Sequence, residues 1–241
     1  MKLNIPSDGT KIGHDGERLV VPDNPIIPYI IGDGIGIDVT PVMKRVLDYA
    51  VNKAYGNTRE IKWLELYAGS NSKELYGSIL PEETIEAMKE YRISIKGPLT
   101  TPIGKGHKSI NVQIRQKLDL FACVRPIKYF PGTSTPMAES GLTDMVVFRE
   151  NTEDLYSGIE WEPNSPGAKR IINFINKELG RSPFRFEDNC GIGIKPVSEE
   201  GTKRLIRMAI DYSLALNKSS ITVVHKGNIM KYTEGAFRDW A

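Results

Sequence analysis

Cysteine is nearly missing from this chain, with Cys123 and Cys190 the two present. A disulfide framework is thereby excluded. Each cysteine lies in or beside an apolar run, which reads as a buried, reduced thiol and points to the cytoplasm. Histidine is almost as rare, and His14, His107 and His225 show no metal-ligand spacing. An excess of one charge is missing too: 32 Lys and Arg against 30 Asp and Glu leave a net +2. That balance gives no reason to expect nucleic acid or an anionic membrane surface as partner. Apolar runs stay short of the roughly 20 residues that a spanning helix needs. Met1 to Gly16 are polar and lack the apolar stretch of a secretory signal. No internal repeat or low-complexity tract is present. What remains, 40% hydrophobic and 26% charged, is ordinary globular composition with room for one large domain or two small ones.

Hydrophobic patterning predicts alternating strands and helices. An N-terminal arm, residues 1–24, carries short strands near Lys11-Ile12 and Leu19-Val20 and leads into an apolar strand over 25–31. Gly32-Asp33-Gly34-Ile35-Gly36 follows, then a helix over 37–55 with Asp38 or Thr40 as its cap. Strand, glycine turn and helix suggest a dinucleotide fold, but that fingerprint needs a glycine at position 37, which is isoleucine. The turn is expected to carry part of a different site. A strand over 61–66 precedes a helix opened by Pro81-Glu82-Glu83, with Ile85, Met88 and Tyr91 inward, and a strand over 93–95. Residues 25–126 thus predict a layered α/β architecture with a largely parallel sheet. The Pro-, Gly-, Ser- and Thr-rich stretch 129–142 marks a candidate domain boundary. Strands are expected over 144–148, 184–186, 191–195 and 221–225, and helices over 168–179, 199–216 and up to Ala241. Residues 157–197 are too thin for a core of their own and are expected to pack on a partner.

The stretch 96–126 is the most informative. Gly97-Pro98 stops a strand, and an irregular loop runs to Ser109. Helical spacing then resumes with Ile110, Ile114 and Leu118 on one face. Ser109 falls at the helix N-terminus, where backbone N–H groups and the dipole favour an anion. Asn111 and Arg115 share a different face. Arg125 is expected at the C-terminal tip of a strand over 120–124, where open α/β sheets bind ligands. Arg149 is expected at another strand tip, shortly before Tyr156. A hydroxyl, an amide and guanidiniums in one unit suit a small molecule with several carboxylates.

Five ordered motifs carry a resemblance. They are Lys96-Gly-Pro-Leu-Thr-Thr-Pro, Ser109-Ile-Asn-Val-Gln-Ile-Arg115, Val124-Arg-Pro126, Phe148-Arg-Glu-Asn-Thr-Glu-Asp-Leu-Tyr156 and His225-Lys-Gly-Asn-Ile-Met-Lys231. With them the chain resembles, over essentially its whole length, the N-terminal part of the bacterial NADP-dependent isocitrate dehydrogenases. These are metal-dependent β-decarboxylating dehydrogenases, akin to 3-isopropylmalate and tartrate dehydrogenases.

The resemblance implies a layered α/β sandwich without the Rossmann fingerprint. Residues 1–120 would belong to a large domain, 121–153 and 199–241 to an incomplete small domain, and 154–198 to a clasp joining a homodimer. It implies that Ser109, Asn111, Arg115, Arg125 and Arg149 bind the carboxylates of isocitrate and that Thr100 meets the nicotinamide end of NADP. Tyr156 and Lys226 would form the catalytic pair, the lysine reaching in from the partner subunit. The implied reaction is oxidative decarboxylation of isocitrate to 2-oxoglutarate and CO2 with reduction of NADP, a step of the tricarboxylic acid cycle. Ser109 matches a serine that some bacterial relatives phosphorylate, so a regulatory kinase and phosphatase are candidate partners. Mg2+ or Mn2+ is implied as well, with its aspartate ligands, and the loop for the adenosine 2′-phosphate, past residue 241. The chain is therefore expected to be C-terminally truncated and inactive by itself. The alternatives are a non-catalytic, anion-binding and dimerising fragment, or a related dehydrogenase for another 2-hydroxy acid. Ser109 and Asn111 favour isocitrate, because a pocket for an isopropyl group would be apolar there.

Overall fold

The computed structural model describes residues 2–101, 109–180 and 184–241, and the chain divides into two units, Met1–Leu118 and Asp119–Ala241. In the first, β1 (Gly13–His14) and β2 (Leu19–Val20) pair as a short antiparallel hairpin, so the first strand lies just beyond the expected 11–12. Next come β3 (Ile26–Ile30), α1 (Gly36–Tyr55), β4 (Lys62–Leu66), α2 (Ser70–Tyr76), α3 (Glu82–Tyr91), β5 (Ile95–Lys96) and α4 (Ile110–Lys117). β3 is buried at every position, as befits a central strand covered on both faces. β4 and β5 flank it in parallel. α3 turns Ile85, Met88 and Tyr91 into the core, and Ile110 and Ile114 of α4 join them.

Two local expectations fail in this unit. Neither Asp38 nor Thr40 caps α1, whose N-cap is Ile35. Thr40 Oγ1 instead donates to the Ile31 carbonyl at 2.8 Å, pinning the helix to the strand before it. α2 was not expected, because seven residues are too few to show periodicity. Gly97 follows β5 where no other residue fits. Its N–H donates to Ile30 O at 2.8 Å, and a Cβ would collide with the Ile31 carbonyl oxygen.

The second unit holds β6 (Ala122–Lys128), β7 (Asp144–Glu150), β8 (Ile159–Trp161), α5 (Pro166–Lys177), β9 (Ile192–Ile194), α6 (Glu199–Ala215) and α7 (Glu234–Trp240). β6 does not extend the parallel sheet; it pairs with β7 in a two-stranded antiparallel ribbon. Pro126 fits there because a ribbon has open edges, where a missing N–H costs little. The stretch 129–142 is therefore no domain boundary but the connection between paired strands. β8 and β9 form a second antiparallel pair. Ser165 caps α5, accepting from Ala168 N at 3.2 Å, and Ser198 caps α6, accepting from Gly201 N at 3.0 Å.

The strands expected over 184–186 and 221–225 do not form. Apolar alternation is present at 221–225, but among the described residues no strand offers it a ladder. Residues 218–224 instead line a cleft of about 470 Å³ together with β7 and α6. Cys123 and Cys190 are only partly buried, against expectation. Among the described residues no helix is long and apolar enough to cross a membrane.

Leu64 is fully buried on β4. Leu64→Ala is expected to destabilise the protein by about 2–5 kcal/mol in urea unfolding, through lost transfer energy and a residual cavity. Val46→Ala, on the exposed face of α1, should stay within about 0.5 kcal/mol.

Candidate functional site

The sequence-predicted residues fall four to each unit. Thr100, Ser109, Asn111 and Arg115 lie in the first unit, and Arg125, Arg149, Tyr156 and Lys226 in the second. Residues 102–108, in the loop before Ser109, lie outside the described residues.

In the first unit the strand end and the start of α4 are tied together. Ser109 is the N-cap of α4, yet its side chain makes no capping bond. Its Oγ accepts from Thr101 Oγ1 at 3.2 Å instead. Asn111 Nδ2 donates to Leu99 O at 3.4 Å. Leu99 is buried in the core, so this contact anchors the loop beneath the exposed Thr100 and Thr101. The Gly32–Gly36 turn meets the same loop. Asp33 accepts from Thr100 N through Oδ2 and from Ser70 N through Oδ1, both at 2.8 Å, while its own N–H donates to Pro98 O at 2.6 Å. A carboxylate holding these N–H groups would repel a pyrophosphate, so this turn is a clamp rather than a nucleotide cradle.

Lys96 belongs to this cluster, although the sequence pattern gave it no role. Burial, and then the charge of Arg115, push its ammonium below the ordinary 10.5, with Asp33 opposing. Lys96 as a residue remains exposed, with Nζ donating to Gly97 O at 2.6 Å, and its repulsion by a guanidinium marks a local positive potential that an anion would relieve.

In the second unit the register decides which side chains share a face. Arg125 stands opposite Val147, and Cys123 opposite Arg149. Arg125 and Arg149 are therefore diagonal neighbours on one face of the ribbon. This corrects the expected strand tip: Arg125 sits in the middle of β6, which continues through Pro126 to Lys128. Arg149 is next to last in β7, close to the expected end. Its guanidinium lies 4.5 Å from the centre of the Tyr156 ring, a contact that joins cation to ring face. Both residues line a cleft of about 310 Å³ with Glu153, Asp154, Glu234 and Phe237.

The acids of Arg149-Glu-Asn-Thr-Glu153 serve the backbone. Glu150 accepts from Thr152 N and Glu153 N at 2.8 Å. Glu153 accepts from Ser198 N at 2.8 Å and Ser198 Oγ at 2.5 Å. Buried Asn151 donates to Cys123 Sγ at 2.9 Å, beneath Arg125. Lys226 lies in an exposed turn whose backbone N–H donates to Glu234 Oε2 at 3.1 Å. The remaining oxygen of Glu234 pairs with Lys195, 39 residues upstream in sequence. Lys195, Glu234 and Asp33 were missed because a lone lysine or acid carries no sequence signal of its partner.

Among the described residues no group of three His, Cys, Asp or Glu converges as a metal site. The described residues therefore do not by themselves supply three such ligands for a divalent cation.

Hydrogen bonds from Lys195 and from Lys226 N hold the Glu234 carboxyl below its ordinary 4.5, against burial. A carboxyl depressed in the folded state stabilises above its unfolded value, and that stability is lost as pH falls through the lower folded value. The melting temperature of Glu234→Gln should therefore lie below that of the parent at neutral pH. The gap is expected to close on acidification below about 4.5 in a thermal-melt series.

Comparison with known proteins points one way. The sequence profile described as isocitrate/isopropylmalate dehydrogenase matches residues 26–241. The chain is 57% identical over 241 residues to isocitrate dehydrogenase (NADP) 1 of Colwellia maris, covering 99% of this chain and 58% of that protein. It is 53% identical over 242 residues to isocitrate dehydrogenase (NADP) of Pseudomonas aeruginosa, again covering 99% of this chain and 58% of that protein. The crystal structure of isocitrate dehydrogenase from Methylococcus capsulatus aligns with a TM-score of 0.71 at 34% identity, over 89% of this chain and 55% of that one. The chain thus spans somewhat over half the length of the relatives it matches. With the profile covering nearly all of its residues, the chain belongs to the isocitrate/isopropylmalate dehydrogenase family.

Proposed function

We propose that this sequence serves the oxidative decarboxylation of isocitrate to 2-oxoglutarate and CO2, with NADP as oxidant and Mg2+ or Mn2+ as the supporting cation. The observation that carries it is the positive charge gathered around α4, where Arg115 of its last turn repels Lys96, on the helix that Ser109 opens and that also carries Asn111. Such a cluster suits a polycarboxylate, and the hydroxyl and amide suit its polar arms better than an isopropyl group. Both named relatives are isocitrate dehydrogenases, which supports the same substrate.

Each residue then has a part. Ser109, Asn111 and Arg115 of the first unit are assigned to carboxylate binding, as are Arg125 and Arg149 of the second. Thr100 faces the nicotinamide end of NADP from the loop that Asp33 clamps. Tyr156 and Lys226 handle protons: the lysine at the C2 hydroxyl, the tyrosine at C3 after CO2 departs. Domain roles follow the same reading: 1–120 large domain, 121–153 and 199–241 small domain, and 154–198 the clasp of a homodimer in the cytoplasm. The break between units after Leu118 lies close to the first of these boundaries. A phosphoryl group on Ser109 would add about two negative charges in the anion site and oppose the substrate directly.

Isothermal titration of isocitrate tests the pocket. Arg115→Met and Arg125→Met should each weaken binding about tenfold to a hundredfold, the worth of a charge-assisted hydrogen bond. Unchanged affinity in both would remove the pocket from where it is placed. Since the described residues assemble no metal site, the 241-residue chain alone is expected to bind isocitrate with Mn2+ and NADP without forming NADPH. Steady growth of NADPH absorbance would contradict that.

A further inference from the structure

Asp154, Lys195 and Glu234 form a run of ion pairs that carboxylate binding leaves without a role. Lys195 Nζ lies 2.9 Å from Asp154 Oδ2 and 2.6 Å from Glu234 Oε1. Glu234 uses its second oxygen on the Lys226 N–H. The Lys195 and Glu234 side chains are 22% and 17% exposed, against 41% and 56% for the surface pair Lys203–Glu199. Surface pairs contribute little. A partly buried pair behaves differently, because removing one member leaves the other charged, desolvated and unmatched.

Both ends of the run are turns that need holding. Asp154 adopts a left-handed backbone, φ 59°, which a non-glycine residue keeps only when its surroundings impose it. Its N–H donates to Pro196 O at 2.9 Å, next to Lys195, and it opens the short turn Asp154–Ser157 that presents Tyr156. At the other end, Ile229 N and Met230 N close a turn on Lys226 O at 3.1 Å. That turn rests against the start of α7, so close that a Cβ on Gly227 would come within 3.0 Å of Gly235 Cα. Lys195 itself follows β9 directly, so a strand end with limited freedom anchors the ammonium between the two turns.

We propose that Lys195 is a positioning residue. Through Asp154 on one side and Glu234 on the other, it fixes the Tyr156 turn against the Lys226 turn, whichever protomer's substrate each side chain meets. Its importance for the reaction rests on the proton-handling roles given to Tyr156 and Lys226; the mechanical coupling does not.

Residue-resolved amide hydrogen exchange on the 241-residue protein tests the coupling. Lys195→Met keeps the aliphatic stem and removes the cation. In it the Asp154 and Lys226 amides are expected to exchange together, at least about tenfold faster, while Leu205 to Ala209 within α6 stay within about twofold. Lys195→Arg should return both amides towards the parent rates. Glu234→Gln gives a milder route, and should quicken exchange at Asp154, which Glu234 does not touch. Acceleration at one end only, equal acceleration through α6, or no recovery with arginine would each overturn the proposal. In the active holoenzyme, Lys195→Met should lower kcat at least about tenfold with KM for isocitrate within about twofold. A raised KM at unchanged kcat would make Lys195 a binding group and sink the positioning role. A holoenzyme without turnover would count against the proposed function, and the exchange rates of the 241-residue protein would still decide the coupling.

Discussion

Carboxylates that accept backbone N–H groups are the joints of this molecule. Asp33 holds Thr100 N and Ser70 N, Glu150 holds Thr152 N and Glu153 N, Glu153 holds Ser198 N, and Glu234 holds Lys226 N. Loops expose N–H groups that no ladder satisfies, and such groups must find acceptors when they are partly buried. A charged acceptor is shorter and stronger than a neutral one. Each of these four joints lies in or beside a segment carrying a candidate site residue, so each of those loops has its shape set by a bond rather than by packing alone.

This use of acids explains how a nearly neutral chain can present a cationic site. The 30 acidic residues almost balance the basic ones in number, but several have their oxygens committed to the backbone and cannot also neutralise the site. Lys96 is left beside Arg115, and Arg149 rests on an aromatic ring instead of a carboxylate. Net charge therefore says little about local potential, which depends on where each carboxylate is tied. The same logic separates the Gly32–Gly36 turn from a nucleotide loop: its central aspartate fills with negative charge the place where a phosphate would have to lie.

The two units solve their cores differently. The first covers a fully buried parallel strand with helices whose apolar stripes are regular, Ile85, Met88 and Tyr91 on α3 and Ile110 and Ile114 on α4. The second builds on antiparallel ribbons with open edges, stabilised by caps and ion pairs at the ends of α5, α6 and α7. Ribbons of this kind carry weaker periodic signals, because one face and both edges remain uncovered. That is why strand limits were legible near β3 and β4 but shifted around Arg125, and why 221–225 alternates without pairing.

What the sequence determined by itself was local. Helices α1, α3, α5 and α6, the buried strand β3, the failure of the dinucleotide fingerprint at Ile37, and the candidate residues of the five motifs all follow from spacing or from short motifs read in order. Register, partnership and charge balance belong to the tertiary structure. Only folding put Arg125 and Arg149 on one face of a ribbon, turned Asp33 onto Thr100, and set Lys195 between Asp154 and Glu234. The reason is physical: periodicity reports which side of an element is apolar, whereas an ion pair between residues 39 apart in sequence depends on where the backbone has carried both.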